Sequence, residues 1–126
     1  DSGGDAPRVI LDTAPLVRAV LADAARTPEG DGLAFGAIAW AVHEGIAAGM
    51  LEVARWARAH HGVSRVGLTG GVFQNHLLAD LARTMLETDG FTVLEHHLVP
   101  SNDGGLALGQ ACIAACASLT DAERAQ

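Results

Sequence analysis

The sequence predicts an α/β fold, helix-rich with two parallel strands. Two short apolar stretches, "RVGLT" and "FTVLEHH", are each followed by a Gly-Gly turn and a helical pattern. Ahead of them, apolar residues recur at steps of three and four, the period of a helix buried along one face. Hydrophobic residues make up 49% of the chain but aromatic ones only 4%. The core must therefore be built from Ala, Val and Leu, which suits closely packed helices.

The elements follow in order. The first eight residues read as a flexible lead-in and "VILD" as a short extended piece. Asp12 or Thr13 can cap a helix from Pro15 to Arg26, with proline in its first turn. "TPEGDG" is a loop. From Leu33 to His60, a stripe through Phe35, Ile38, Val42, Ile46, Val53 and Trp56 marks a long helix. Gly45 and Gly49 weaken it intrinsically, so close contact with another backbone is expected to compensate. "RVGLT" is a strand, Val72 to Thr88 a helix, and "DGFTVLEHH" a turn and second strand. "LVPSNDGG" is a loop, and Leu106 to Leu119 an Ala-rich final helix. Strand, helix, strand in that order implies parallel strands joined by a right-handed crossover. Two strands make a poor sheet, so residues 1–126 read as a single incomplete lobe of a larger α/β unit. Its open apolar strand edges invite pairing with another chain, and a dimer or swapped assembly is expected.

Charge narrows the function classes. Acidic residues outnumber basic ones 15 to 8, for a net charge of −7. No lysine occurs. A nucleic-acid surface needs clustered Lys and Arg, so nucleic acid is not an expected partner. No uncharged apolar run reaches about 18 residues, so no membrane span is expected. "DSGGDAPRVI" lacks the basic-then-apolar order of a signal peptide. Cys112 and Cys116 lie one helical turn apart and suit small core side chains better than a disulfide. A cytoplasmic protein is the default expectation.

The candidate sites sit at the two Gly-Gly turns. At Gly70-Gly71 a strand gives way to a helix, whose leading N–H groups lack intrahelical partners. Glycine lets a phosphate approach, and the helix dipole favours the anion. Asn75, one turn into that helix, could bond a ribose or phosphate oxygen. A glycine turn chosen for packing is the alternative. Gly104-Gly105 repeats the design after the second strand, so both turns would lie at the carboxyl edge of one sheet, where α/β folds bind ligands. Asp103 is then either the cap of the last helix or a carboxylate able to hold a divalent cation. Among the histidines, His43 suits a satisfied, half-buried position and His60-His61 the C-terminal dipole of the long helix. His76 is expected to face solvent. His96-His97 lack a spaced partner, so a metal pair is not expected there. No nucleophile–base pair is legible, and the catalytic residues stay unassigned.

"LTGGVFQN", followed by "LVPSNDGGLALGQA", closely resembles the C-terminal end of the HypF-type carbamoyltransferases of [NiFe]-hydrogenase maturation. "LDTAPLVRAVLAD" and "VHEGIA" look like the family's lead-in, so the resemblance covers nearly the whole chain. It implies part of an actin-like ATPase (ASKHA) lobe, related to the tRNA threonylcarbamoyl-transferases. It further implies carbamoyl-adenylate made from carbamoyl phosphate and ATP, with the carbamoyl group passed to the C-terminal cysteine of a HypE acceptor. Carried over by position, Gly70, Gly71 and Asn75 would hold the nucleotide, with Gly104 and Gly105 shaping the adjacent phosphate site. Asp103 would be a ligand to a divalent metal of the iron or zinc class. The family's HxxxH ligands belong to the missing N-terminal lobe and have no counterpart here, so this piece alone is expected to be inactive. Two alternatives are a part of a tRNA threonylcarbamoyl-transferase-like enzyme and a non-catalytic half-lobe that pairs with a partner.

Overall fold

The computed structural model describes residues 8–124, with side chains to residue 116. All but the last residue of the expected lead-in lies outside the described residues. Helix α1 runs Ala14–Arg26 and α2 runs Gly32–His61. Strand β1 (Arg65–Gly67), α3 (His76–Thr88) and β2 (Thr92–Leu94) form a β-α-β unit, and α4 (Leu106–Arg124) closes the described chain. The strands are parallel, with Val66 opposite Val93. Their ladder extends one step beyond β1, because the Leu68 N–H donates to Leu94 O at 2.9 Å. The helix-rich, two-strand architecture expected from the sequence is the one observed.

Local chemistry sets the boundaries. Asp12, not Thr13, serves the start of α1: its Oδ1 accepts from the Ala14 N–H at 2.9 Å, while the Thr13 side chain makes no capping bond. Asp31 caps α2 by accepting from the Ala34 N–H at 3.0 Å. That helix stops at Gly62, whose left-handed φ of 67° is cheap only for glycine. Arg58, His60 and His61 fill its last turn, where positive charge suits the dipole. Trp56 stacks on His60 with centroids 4.6 Å apart, so the end of the helix carries its own ring cluster.

The core lies between α2 and α3. Ala47 and Ala54 of α2 face Leu78, Ala82 and Leu86 of α3, with Leu68 and Phe91 closing the strand side. Ile46, Met50, Val66 and Val93 pack around this cluster. The apolar stripe on α2 is thus centred on alanines. Phe35, placed in the stripe by periodicity, is 44% exposed. Gly45 and Gly49 do meet a close neighbour, but it is side chain and not backbone. A Cβ at Gly49 would stand 3.0 Å from Leu11 Cδ2, and one at Gly45 would stand 3.1 Å from Leu16 Cδ1. The N-terminal segment therefore nests in a groove that the glycines open in α2. Cys112 and Cys116 are exposed, which corrects their expected place in the core. Helix α2 is long and apolar enough to cross a membrane by length and composition alone, a test that core helices also pass. Here one of its faces packs on α3, and it carries Glu44, Glu52, Arg55 and Arg58.

Asp89, just past α3, ties that helix to α2. Its carboxylate accepts from Arg55 Nε at 2.8 Å and from Arg58 Nη2, while Arg58 Nη1 donates to Asp89 O at 2.9 Å. Arg58 also lies over the Phe91 ring, 4.2 Å from its centroid. The Arg55 hydrogen bonds, then those of Arg58, hold the Asp89 carboxyl below its ordinary value of 3.8. A depressed carboxyl contributes stability that is complete above its unfolded pKa and is lost as pH falls through the folded one. Asp89→Asn should therefore lower Tm at pH 6, and the gap from wild type should close as the pH drops below about 4. Paired thermal melts across that range check the sign.

Candidate functional site at the paired glycine turns

The end of β1 leads into the first turn. Leu68 is buried, and Gly70 takes φ 106° and ψ 160°, a region open essentially to glycine alone. Its N–H donates to Ser101 O at 2.6 Å, which fastens this turn to the loop after β2. Residues Gly71–Gln74 then form a 3-10 turn, so α3 begins at His76 and not at Val72. Asn75 is consequently the N-cap of α3, which corrects its expected place one turn inside the helix. Its Oδ1 accepts from the Leu78 N–H at 3.2 Å, and its Nδ2 lies 2.7 Å from His43 Nε2. His43 Nδ1 lies 2.6 Å from Ala39 O. His43 is thus the satisfied, half-buried histidine the sequence suggests.

At the second turn the cap is Asn102, whose Oδ1 accepts from the Gly104 N–H at 3.0 Å. Capping is therefore not the role of Asp103, which opens the 3-10 turn Asp103–Gly105 with an exposed side chain. The Gly105 N–H donates to Asn102 O at 3.0 Å. The N–H groups of Gly70, Gly104 and Gly105 are all engaged within the chain. Two of these glycines answer to crowding. A Cβ on Gly105 would lie 2.9 Å from Pro100 O, and one on Gly104 would lie 3.0 Å from Asn102 Oδ1 and Pro100 Cγ.

A cavity of about 450 Å³ brings Gly70, Asn102, Asp103 and Gly105 together with Thr69 and His96. Gly71 and Gly104 lie beside it in sequence without lining it, and Asn75 stands apart with His43. A second cavity, of about 490 Å³, shares the His96 and Val99–Ser101 wall and holds Asp80, Arg83, Glu95, His76 and His97. There Arg83 is held by Asp80 at 2.6 Å and Glu95 at 3.5 Å. His76, expected to face solvent, is exposed at its rim. His96 Nε2 lies 3.0 Å from Thr69 Oγ1. Asn102 escaped the sequence reading because it stands beside Asp103, whose motif signal is stronger; His96, read there only as lacking a spaced metal partner, lines both cavities. Among the described residues no group of three His, Cys, Asp or Glu could hold a metal ion. Asp103 offers one oxygen ligand at the cavity, so a cation there needs its remaining ligands from outside these residues.

A family model described as "Carbamoyltransferase, Kae1-like Domain, second subdomain" matches residues 3–110, which include both turns. The chain belongs to this HypF-type carbamoyltransferase family. The carbamoyltransferase HypF of Rhodobacter capsulatus is 42% identical over 78 residues, covering 62% of this chain and 10% of that protein. A probable carbamoyltransferase HypF of Methanocaldococcus jannaschii is 34% identical over 73 residues, covering 58% of this chain and 10% of that protein. A HypF homolog of Cupriavidus necator is 37% identical over 73 residues, covering 58% and 18% respectively. The chain thus spans about a tenth of the length of the first two relatives. No solved structure matches it significantly.

The glycines of this HypF-type subdomain differ in what they tolerate. Gly105→Ala forces a Cβ against the Pro100 carbonyl and should cost about 1–3 kcal/mol, as overpacking does. Gly71→Ala meets only Asn102 Cβ, at 3.9 Å. It should stay within about 0.5 kcal/mol of wild type. Denaturant melts of the two variants, side by side, measure the contrast.

Proposed function

We propose that this subdomain forms one wall of a nucleotide and metal cleft in a carbamoyltransferase of the actin-like ATPase fold. In that reaction a cysteine thiolate attacks the carbonyl carbon of carbamoyl-adenylate. The C–S bond forms as the C–O bond to the adenylate phosphate breaks, and AMP leaves. The acceptor is the C-terminal cysteine of a HypE-like protein. The observation that carries the proposal is the Gly70–Ser101 bond of 2.6 Å, which sets Gly70, Asp103 and Gly105 around one cavity at the carboxyl end of the parallel strands. Ligands of α/β folds bind at that edge.

The roles divide by chemistry. Gly70 and Gly71 present a side-chain-free approach for phosphate, and Gly104 and Gly105 keep the neighbouring loop low. Asn75 offers its amide to the nucleoside. Asp103 gives one carboxylate oxygen to a divalent cation of the iron or zinc class, which when bound offsets phosphate charge. The missing N-terminal lobe supplies the other metal ligands and the catalytic groups, so residues 1–126 alone are inactive. That lobe also covers apolar side chains such as Val17, Leu21 and Leu33, which are 53%, 64% and 91% exposed. Without it, a second copy of the chain is the expected cover. The place of action is the cytoplasm, with no membrane or nucleic-acid partner. A threonylcarbamoyl-transferase acting on tRNA fits less well, because the chain's net charge is −7.

Because Asn102 is the cap, Asp103→Asn should leave the fold intact. In the full-length protein it should keep a near-normal Tm and lose bound metal and carbamoyl transfer together. Metal content by mass spectrometry and carbamoylation of the acceptor thiol are the measurements; retention of both removes Asp103 from the site. Gly71→Val in the same protein should weaken ATP binding on the order of tenfold or more by blocking phosphate approach, with the fold kept. Calorimetric titration with ATP reads that effect, and unchanged affinity moves the nucleotide away from this turn.

A further inference from the structure

The bonds around Asn75 have only one consistent polarity. The Leu78 N–H can only donate, so the Asn75 atom 3.2 Å from it is Oδ1. The other end of the amide, Nδ2, therefore faces His43 Nε2 at 2.7 Å. Nδ2 carries hydrogens and no acceptor, so Nε2 must accept. The imidazole proton then sits on Nδ1, where Ala39 O accepts it at 2.6 Å. One chain of hydrogen bonds runs from the N-terminus of α3 through Asn75 and His43 to the backbone of α2.

We infer that His43 is a positioning residue for nucleotide binding: it fixes the orientation of the Asn75 amide and so decides which polar groups the amide offers to a ligand. The inference rests on the proposed nucleotide role of Asn75. One Nδ2 hydrogen and one Oδ1 lone pair are spent inside the chain. One hydrogen and one lone pair remain, and Asn75 is exposed. That is a donor beside an acceptor, the pattern a purine edge or a ribose hydroxyl can match. Without His43 the cap bond alone restrains the amide, and its donor end turns freely. Exposed Asn75, held by its cap bond alone, then meets the ligand in several orientations of its donor end, and each costs ordering on binding.

Two matched variants in the full-length protein separate this role from packing. His43→Gln can place Oε1 near the position of Nε2 and keep an acceptor facing Asn75. His43→Asn is too short to reach Asn75 but can still donate to Ala39 O. The expected result is near-wild-type Kd for ATP in His43→Gln and a Kd raised about three- to tenfold in His43→Asn, the worth of one hydrogen bond. The carbamoyl transfer rate at saturating substrate should be unchanged in both. His43→Leu, which removes both bonds and keeps the volume, repeats the comparison should His43→Asn lack a cooperative melt. Asn75→Ala is titrated alongside. If it binds ATP as wild type does, the nucleotide role of Asn75 fails and this inference falls with it. If Asn75→Ala is weakened while His43→Asn and His43→Leu are not, only the positioning role is overturned.

Discussion

The seam of alanines between α2 and α3 is the constraint on which the rest depends. Ala47 and Ala82 are completely buried and Ala54 nearly so. With only a methyl group at these contacts the two helices can approach closely, and Leu78 and Leu86 fill the space on either side. Full burial of a leucine contributes about 1.5–3 kcal/mol, so the seam supplies much of what a small core can offer. It also sets distances elsewhere. His43 reaches Asn75 at 2.7 Å, and Arg55 reaches Asp89 at 2.8 Å, only because the helix axes are held together between them. A larger residue at Ala47 would part α2 from α3 and draw both polar links apart at once.

Much of this was legible in the residues because it is local. Helix ends follow from caps and glycines, as at Asp31 and Gly62, and the strands from short apolar runs bounded by turns. The alanine centre of α2 was not legible, since size-ranked periodicity points to Phe35 and Val42 and passes over the small residues that helices use for close approach. The partners of Gly45 and Gly49 were hidden for another reason. Leu16 and Leu11 lie far back in the sequence, and a helical repeat carries no information about what crosses it.

The site shows the same division. Both turns, and the HypF-type family to which the paired motifs pointed, could be read from the sequence. The start of α3 could not. "GVFQ" is apolar enough to pass as a helical turn, yet it is wound as a 3-10 turn, which shifts the cap to Asn75. At "SND", all three residues are good caps, and composition cannot rank Asn102 against Asp103. Folding does rank them. Asn102 turns its amide oxygen to the Gly104 N–H, and Asp103 is left outward at the cavity.

That outcome sharpens what the four glycines mean. Gly70 is required by its backbone angles, which other residues rarely adopt. Gly105 is required by the Pro100 carbonyl, which leaves no room for a Cβ, and Gly104 is crowded by the Asn102 and Pro100 side chains, 3.0 Å from where its Cβ would stand. Gly71 has neither reason: its φ is not in the left-handed region, and a Cβ there would meet nothing closer than 3.9 Å. The fold of residues 8–124 gives no cause for glycine at position 71. Within the carbamoyltransferase proposal, a ligand or the facing lobe would approach there from outside. Both belong to the same cleft, since the lobe that would crowd Gly71 is the one that would close over the nucleotide.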